Sequence, residues 1–394
     1  MMQIMQARKV TENIFSIGVQ DWHRKLFDAL VPLSHGTSYN SYIVTGEKVA
    51  VIDSVDPLFI NEWLKNIQEL KVTPDYIIAN HAEQDHSGGL PEFIRSYPDA
   101  KIVTNVRCRD LLISLLHLPS EKFLIIEDKS ALDLGGGYVL EFYSAPWVHW
   151  PETMFTFLQR EKILFSCDFC GAHYASADLF VQDEHLIYNT AKLYYAEVMM
   201  PYSAQVRKAL ETAKQLMPLF IAPSHGQIYN NPEFILKAYA DWTGENIGDV
   251  LVLYVSMHDS VKKMTALIRS ELEAQKVKVK VLNLEETDSG EIAMELVDAH
   301  TVLLGTPTVL GGAHPAAAYA AILLNAVRPK IKYLGFYGSF SWGGRAPDQL
   351  ASMVTTIKPE MFPPLMVKGL PLPEDEVKIV EWAREVALKN QINC

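Results

Sequence analysis

The chain has 394 residues, of which 49% are hydrophobic and 21% are charged, and its net charge is −12. This length suits two domains with full cores, and the acidic balance argues against a nucleic-acid partner, which would need clustered Lys and Arg. No stretch approaches the roughly 18 apolar residues of a membrane span. The amino terminus lacks a signal-peptide pattern, so a cytoplasmic protein is predicted.

Up to residue 247, the chain contains strands in hairpin-like pairs. Helices lie between these pairs. Clear examples are SYIV and KVAVIDS around the turn TGE, and MFTFLQ and KILFSCD around the turn RE. Alternating apolar residues on either side of a short polar turn are typical of antiparallel strands. Residues 1–247 are therefore predicted to form a sheet-rich domain, and the glycine-containing segment 243–248 is the predicted linker.

From residue 248 to residue 394, strands and helices alternate strictly. A helix from about Ser260 to Ala274 follows the first strand, and PAAAYAAILLNAV follows the third. Alternation of this kind predicts an α/β domain with a doubly wound parallel sheet. The five strands are DVLVLYVS, VKVLNL, TVLLGT, KYLGFYG and PLMVKGL.

Histidines and carboxylates follow four apolar strands of the first domain. The set is His81, Glu83, Asp85 and His86 after YIIAN, His149 after FYSAP, Asp168 at the end of KILFSCD, and His225 after LFIAPS. Strand ends on one edge of a sheet converge, so these side chains are predicted to form one metal-binding cluster. An isolated polar residue after a strand is more often a surface or capping residue, and that is the interpretation for His258 and His314.

The number of candidate ligands indicates two metal ions. His81, Glu83 and His149 can bind one ion, Asp85, His86 and His225 can bind the other, and Asp168 can bridge them. A site with three histidines would favour hydrolytic zinc, whereas the oxygen of Glu83 adds negative charge and favours iron.

The four cysteines, Cys108, Cys167, Cys170 and Cys394, are too few and too scattered for a disulfide framework, which fits a reducing compartment. Cys167 and Cys170 have the CxxC spacing of thiol-redox and zinc sites. Because Asp168 lies between them and they form a single pair, a structural role is favoured.

The motifs of the first domain resemble the metallo-β-lactamase-type domain of the flavodiiron proteins, also called A-type flavoproteins, and the resemblance extends over essentially the whole chain. The segments that carry it are DWHRKLFD, GTSYNSYIV, HAEQDHSGG, APWVHWPETM, LFSCDFCGAHY and APSHG. In the ordinary metallo-hydrolase pattern a histidine stands at the position of Glu83, and in the flavodiiron pattern a glutamate does. The resemblance implies an αββα sandwich followed by a flavodoxin-like domain, without extra C-terminal domains, and the same partition of iron ligands.

Three loops of the second domain are similar to the flavin loops of flavodoxins. They follow the first, third and fourth strands, where a doubly wound sheet binds its ligand, although such loops alone could equally be tight turns. The absence of a GxGxxG fingerprint indicates FMN. The candidate flavin residues are Ser256, Met257, His258, Asp259, Ser260, Val261, Pro307, Thr308, Val309, Leu310, Gly311, Gly338, Ser339, Phe340, Ser341, Trp342, Gly343 and Gly344.

Two positions depart from the flavodoxin-like pattern. Val261 stands where a Thr is usual, which removes one hydroxyl contact to the phosphate, and Leu310 stands where an Asn is frequent. Ser256, Ser260 and backbone amides are expected to compensate.

The resemblance implies reduction of dioxygen to water, of nitric oxide to nitrous oxide, or of both, at a diiron site supplied with electrons by FMN. It also implies a head-to-tail homodimer or a dimer of dimers, and a separate electron donor, which is rubredoxin, a flavin reductase or reduced deazaflavin. The gas preference is expected to depend on residues near the irons, with Trp150, Tyr194, Tyr195 and Tyr229 as candidates. A binuclear zinc hydrolase with a flavodoxin-like appendage is the alternative.

Overall fold

The structure, a computed structural model, describes residues 7–27, 31–246 and 248–391. The chain divides into two compact units, Met1–Tyr195 with Tyr202–Thr243, and Ala196–Pro201 with Gly244–Cys394. The predicted boundary after residue 247 stays a prediction, because residue 247 itself lies outside the described residues. Within the described part of the chain, no helix combines the length and apolar character needed to cross a membrane.

The strands of the first unit form two main sheets. A seven-stranded sheet has the order β1-β2-β7-β8-β9-β10-β11 and a five-stranded sheet the order β12-β13-β14-β15-β16, while β3 pairs with β6 and β4 with β5. The strands are β1 (Arg8–Thr11), β2 (Ile14–Ser16), β3 (Val19–Asp21), β4 (Leu26–Phe27), β5 (Val31–Pro32), β6 (Thr37–Tyr39), β7 (Tyr42–Thr45), β8 (Val49–Ile52), β9 (Tyr76–Ile78), β10 (Lys101–Thr104), β11 (Phe123–Ile125), β12 (Ala131–Asp133), β13 (Val139–Ser144), β14 (Met154–Leu158), β15 (Ile163–Cys167) and β16 (Phe220–Pro223).

Helices cover the outer faces of the two sheets. The helices of this unit are α1 (Ile60–Glu69), α2 (Gln84–Ser87), α3 (Leu90–Ser96), α4 (Val106–Leu116), α5 (Glu184–Tyr194), α6 (Ser203–Leu216) and α7 (Pro232–Thr243), with short 3-10 helices at Pro57–Phe59 and Ser120–Lys122. A π-helix at Tyr195–Met199 and a 3-10 helix at Met200–Tyr202 lie mostly in the segment Ala196–Pro201, which belongs to the second unit.

Side chains that alternate along each strand build the layers of the first unit. On β7, Tyr42 and Val44 face the five-stranded sheet and pack with residues such as Phe165. Ile43, between them, faces the opposite way and packs with Trp63 and other residues of α1, α3 and α4. On the far side of the five-stranded sheet, rings join β14 to α7 through Phe169. The unit is therefore an αββα sandwich.

The second unit contains a sheet with the order β18-β17-β19-β21-β22, to which β20 and β23 add at β19 and β21. The pairs along it are parallel except for β19 with β20. Its elements are β17 (Val250–Tyr254), α8 (Ser260–Ala274), β18 (Val279–Asn283), α9 (Ser289–Leu296), β19 (Thr301–Val309), β20 (Gly312–Ala313), α10 (Pro315–Val327), β21 (Tyr333–Phe340), α11 (Ala346–Met353), β22 (Glu360–Met361), β23 (Leu365–Lys368) and α12 (Pro373–Gln391).

Helices lie on both faces of this sheet. One face packs against α8 and α12, which contribute Met264, Ile268, Ile379 and Trp382 to the core, and α10 contacts β17 and β19. The order β18-β17-β19-β21 is that of a flavodoxin-like doubly wound sheet. The predicted fold class is confirmed in both units.

Two of the predicted flavin loops differ in detail from the expectation. Pro307–Val309 continue strand β19, which turns at Leu310 and Gly311 into β20, and Gly338–Phe340 belong to β21. Leu310 has φ 50° and Gly311 φ 82°, as a tight hairpin turn requires. Strands β19 and β21 are longer than the apolar segments that predicted them, because backbone hydrogen bonds between strands do not require apolar side chains.

Candidate functional site

The loop after β9, which is held by hydrogen bonds of Asn80, carries four of the candidate metal ligands together with helix α2. Asn80, the second residue of this loop, donates from Nδ2 to Asp53 Oδ2 at 2.9 Å and accepts at Oδ1 from Thr156 Oγ1 at 2.7 Å. His81 and Glu83 follow, and the short helix α2 then carries Asp85 and His86. Because buried polar groups need partners, this network fixes where the ligand loop begins.

The first group of ligands consists of His81, Glu83 and His149. Glu83 Oε2 lies 3.1 Å from Nε2 of His81 and 3.1 Å from Nε2 of His149. His149 comes from the loop after β13, so two separate strand ends meet at one carboxylate.

The second group consists of Asp85, His86 and His225. Asp85 Oδ1 lies 3.4 Å from His86 Nε2, and Asp85 Oδ2 lies 3.2 Å from His225 Nε2. His225 is held in place from behind, because its Nδ1 donates to the carbonyl of Ser38 at 2.6 Å.

Asp168 lies between the two groups and offers one oxygen to each. Its Oδ2 lies 3.5 Å from Nε2 of both His81 and His149. Its Oδ1 lies 3.0 Å from His86 Nε2 and 3.5 Å from His225 Nε2. The structure therefore brings together all seven side chains selected from the sequence, in the predicted partition, while metal binding by them stays a prediction.

Opposite charges are concentrated in this cluster. Burial by itself would lower the pKa of His81, but hydrogen bonds with Glu152 and Glu83 raise it to about 10. For His149, burial is likewise outweighed by Asp168 and Glu83, which raise its pKa to about 10. Burial opposes ionisation of Asp168, yet His86 and His149 hold the pKa of that carboxyl well below its usual range. The imidazoles in this state would release protons to bind a metal ion, whereas the carboxylates are already ionised.

The donor atoms fit a pair of cations. Both oxygens of Asp85, Oδ2 of Asp168 and Nε2 of His225 are buried, and beyond the close histidine–carboxylate approaches described above they have no hydrogen-bond partner among the described residues. Unsatisfied buried polar atoms of this kind are destabilising unless an ion or water completes them. A mixed set of carboxylate oxygens and imidazole nitrogens suits iron.

Two residues near the ligands were not singled out from the sequence. Glu152 Oε1 accepts from His81 Nδ1 at 2.7 Å. His173 is buried, with Nδ1 2.9 Å from Thr37 Oγ1 and its ring centroid 4.9 Å from that of His225. Both lie inside the motifs APWVHWPETM and LFSCDFCGAHY, so proximity in sequence to His149 and Asp168 was the available signal.

The four aromatic candidates separate into two pairs. The Trp150 ring centroid lies 4.9 Å from that of His81, and the Tyr194 hydroxyl donates to Asp168 Oδ1 at 2.9 Å. Tyr195 instead donates to the carbonyl of Trp242, and Tyr229 exchanges backbone hydrogen bonds with Ile221. Only Trp150 and Tyr194 of these four have contacts to the ligands in the described part of the chain.

Cys167 and Cys170 are free and fully buried, and burial raises the pKa of both thiols. Cys167 Sγ lies within 4.8 Å of donor atoms of His86 and Asp168. Raised thiol pKa values disfavour the reactive thiolate, which agrees with the structural interpretation. Cys394 lies outside the described residues.

A cavity of about 450 Å³ in the second unit adjoins the ends of β17, β19 and β21. This volume is in the range of small-molecule sites. Predicted flavin residues form most of its wall: Met257, His258, Ser260, Pro307, Thr308, Gly311, Ser339, Phe340, Ser341, Trp342 and Gly343. Gly369 and Leu370, which follow β23, complete it and were missed, because no phosphate-loop or aromatic pattern marks them.

The remaining predicted flavin residues do not line this cavity. They are Ser256, Asp259, Val261, Val309, Leu310, Gly338 and Gly344. Ser256 Oγ accepts from the amide of Lys262 at 3.0 Å, at the start of α8. The Val261 side chain is buried in the core, and Leu310 is fully exposed at the β19–β20 turn. These residues therefore have positions in the loops or in the core behind them, and not in the cavity wall.

The two isolated histidines have different environments. His314 is the N-cap of α10, where its Nδ1 accepts from the amide of Ala316 at 3.1 Å, as the capping interpretation predicted. His258 lies in the cavity wall.

Comparisons with known proteins agree on one group of relatives. Residues 37–226 match the family described as ODP family beta lactamase. The chain is 31% identical to the nitric oxide reductase of Moorella thermoacetica, over 98% of this chain and 99% of that protein. It is 32% identical to the anaerobic nitric oxide reductase flavorubredoxin of Escherichia coli K12, over 96% of this chain and 81% of that protein.

Solved structures give the same result. The rubredoxin oxygen:oxidoreductase of Desulfovibrio gigas superposes with a TM-score of 0.93 at 28% identity, covering 98% of this chain and 99% of that one. The flavodiiron protein of Giardia intestinalis superposes with a TM-score of 0.90 at 26% identity, covering 99% of this chain and 98% of that one.

Proposed function

The chain belongs to the flavodiiron protein family, and on this basis we propose that it is an oxidoreductase that reduces dioxygen to water, nitric oxide to nitrous oxide, or both. The observation that carries the proposal is the position of Asp168, whose two oxygens face two separate groups of ligands. The names of the relatives, nitric oxide reductase and oxygen oxidoreductase, support the same class of reaction.

In this proposal His81, Glu83 and His149 would hold one iron, Asp85, His86 and His225 would hold the other, and Asp168 would offer one oxygen to each group. The pair of irons would supply two electrons and the FMN another two, which matches the four electrons of dioxygen reduction to water. The residues around the ligands keep them in position. Tyr194 holds Asp168 Oδ1 with its hydroxyl, and Trp150 packs edge-on against His81.

The cavity of the second unit is the proposed FMN site. Ser260 begins α8, and its Oγ lies 2.7 Å from Ser339 Oγ. Hydroxyls beside a helix N-terminus suit a phosphate, because free amides and the helix dipole favour an anion. Met257 and Trp342 supply apolar surface for the ring. Val261 is buried behind the wall and has no hydroxyl, so Ser260 would supply the hydroxyl contact instead.

The binuclear zinc hydrolase is not favoured. Glu83 places a carboxylate between His81 and His149, and the relatives with full-length similarity are named as reductases of gases. A zinc hydrolase would also leave the cavity of the second unit without a role.

Anaerobic reduction of the iron-loaded, FMN-loaded protein tests the proposal. Dioxygen and nitric oxide are then added separately while gas consumption and the flavin absorption are recorded. Reoxidation by dioxygen, with water and no peroxide as product, would establish an oxidase, and reoxidation by nitric oxide with nitrous oxide as product would establish a nitric oxide reductase. If neither gas reoxidised the flavin and the isolated protein held zinc, the proposal would be wrong.

We also propose a head-to-tail homodimer, alone or paired as a dimer of dimers, in which the FMN of one subunit serves the irons of its partner. Subunits with an incomplete diiron site, carrying His225→Ala, can be mixed with subunits whose FMN binding is weakened, carrying Ser260→Asp. Recovered activity in the mixed dimers supports the arrangement, and its absence in verified heterodimers contradicts it.

The proposed electron donor is a separate rubredoxin, a flavin reductase or reduced deazaflavin. Each can be offered in turn to the oxidised protein, and the donor that reduces the flavin fastest is the candidate. The buried thiols Cys108, Cys167 and Cys170 are free, which supports a cytoplasmic location. Fractionation of the source cells tests that location.

A further inference from the structure

Glu152 lies behind the first group of ligands and is almost inaccessible, with 3% of its surface exposed. Its Oε1 accepts two hydrogen bonds, from Nδ1 of His81 at 2.7 Å and from the backbone amide of Ala82 at 3.0 Å. Burial of a carboxylate is unfavourable unless it is paired. Both donors belong to the ligand loop, so Glu152 and this loop hold each other in place.

The backbone of Glu152 is fixed independently of its side chain. Its carbonyl accepts from Nδ2 of Asn105 at 2.7 Å, while Oδ1 of Asn105 caps α4 by accepting from the amide of Cys108 at 3.0 Å. The carboxylate is therefore presented to His81 from a loop anchored on a helix N-terminus.

The second group of ligands has no equivalent support. His225 Nδ1 donates to a neutral acceptor, the carbonyl of Ser38. His86 Nδ1 is buried and has no hydrogen-bond partner among the described residues. The two candidate metal positions therefore differ: in the first, a carboxylate accepts from the distal nitrogen of one histidine, His81, and in the second the distal nitrogens face a carbonyl or no acceptor.

We infer that Glu152 is a positioning residue that makes the His81–Glu83–His149 position the tighter-binding of the two metal positions. A carboxylate that accepts from the distal nitrogen of a ligating histidine fixes the ring, selects the tautomer that leaves Nε2 free for the metal, and makes the ring more basic. The position of Asp85, His86 and His225 lacks this contribution, so it should lose its ion first. The inference rests on the proposed diiron site.

Titration with Co²⁺ tests the inference through metal affinity and does not depend on catalytic activity. The metal-free chain is titrated with Co²⁺ in competition with a chelator, and binding is followed by the visible absorption of the bound ion. His225→Ala leaves the first position intact and His149→Ala leaves the second. Glu152→Ala should weaken Co²⁺ binding about 10- to 100-fold in the His225→Ala background, and less than about threefold in the His149→Ala background.

Glu152→Gln separates charge from shape, because it keeps the size and an acceptor oxygen. Its expected loss in the His225→Ala background is smaller than that of Glu152→Ala but still above about threefold, since a neutral acceptor is weaker than a charged one. Glu161→Gln is the matched control: this carboxyl lies in the turn between β14 and β15, away from the ligands, and neither background should respond to it.

Equal losses in the two backgrounds, or no loss with the first position alone, would overturn the inference. Circular dichroism of the metal-free variants checks folding, and if Glu152→Ala does not fold, Glu152→Gln decides. Failure of the proposed function is a separate result: a protein that reduces neither gas can still show the background-specific loss of Co²⁺, and an active enzyme can lack it.

Discussion

The candidate metal cluster of the first unit and the cavity of the second unit are built in different ways. The cluster consists of His and carboxylate side chains from separate strand ends, each buried or half-buried and each in contact with another. The cavity is formed by small residues and by the apolar side chains of Met257, Pro307, Phe340, Trp342 and Leu370, at the ends of neighbouring parallel strands. The first site is thus specified by residue identity and the second mainly by the path of the chain.

This difference has a consequence for tolerance to substitution. Removing one charged member of the cluster leaves its neighbours buried and unpaired, which is strongly destabilising. Removing one residue of the cavity wall loses one contact among many. Loss of the metals should therefore be abrupt and loss of FMN gradual.

The largest effect is expected from Asp168→Asn, which removes the charge facing both ligand groups. Bound metal should fall from about two ions to below about one per chain, because both positions lose an anionic ligand, and gas reduction should fall more than about 100-fold. Metal analysis and gas consumption measure this. Asp110→Asn, at an exposed ion pair with Arg109, is the control, and full metal content in Asp168→Asn would contradict the comparison.

The pH dependence of metal binding should be nearly as large. The raised pKa values of His81 and His149, both about 10, and of His86, about 9, mean that these groups carry protons in the metal-free protein at neutral pH. A metal ion must displace those protons, so its apparent affinity should rise with pH below about 9, by about tenfold per pH unit for each proton displaced. Chelator competition between about pH 6 and pH 8 measures the slope. FMN affinity should change far less over the same pH range. If metal affinity and FMN affinity changed equally with pH, the proposed difference between the two sites would be wrong.

A smaller effect is expected from Ser260→Asp in the cavity. The new carboxylate would face the phosphate and would replace the hydroxyl that contacts Ser339, so FMN affinity should fall at least about tenfold through like-charge repulsion. Fluorescence titration with FMN measures it. Ser270→Asp, exposed on the same helix, is the matched control, and the metal content of both variants should be unchanged.

The smallest effect on binding is expected from Val261→Thr, which restores the residue usual in flavodoxin-like loops. Because the Val261 side chain packs in the core and not in the cavity wall, FMN affinity should stay within about twofold, a change below 1 kcal/mol. The free energy of unfolding should fall by about 1–3 kcal/mol, since a hydroxyl enters an apolar core. A clear gain in FMN affinity would show that the side chain reaches the phosphate after all.

Much of the candidate metal site could be predicted because its chemistry lies in residue types. His and carboxylate residues directly after apolar strands can be recognised without coordinates. The spacing of the strands predicts a sheet-rich first domain and a doubly wound second domain, whereas the αββα sandwich was implied by the family resemblance. Glu152 was not recognised, because a glutamate near a histidine in sequence is common and only the fold directs it at His81. The cavity was predicted less completely, since Gly369 and Leu370 carry no chemical signature.

The sequence by itself determined the sheet-rich first domain, the strand–helix alternation of the second domain and the set of candidate ligands, because hydrophobic periodicity and side-chain chemistry are local properties. Only the tertiary structure decided that Asp168 Oδ2 faces one group and Oδ1 the other, that Tyr194 and not Tyr195 contacts the cluster, and that Val261 faces the core. Each of these depends on the direction of a side chain relative to residues far away in sequence. Packing of the sheets and helices fixes that direction, and no local pattern contains it.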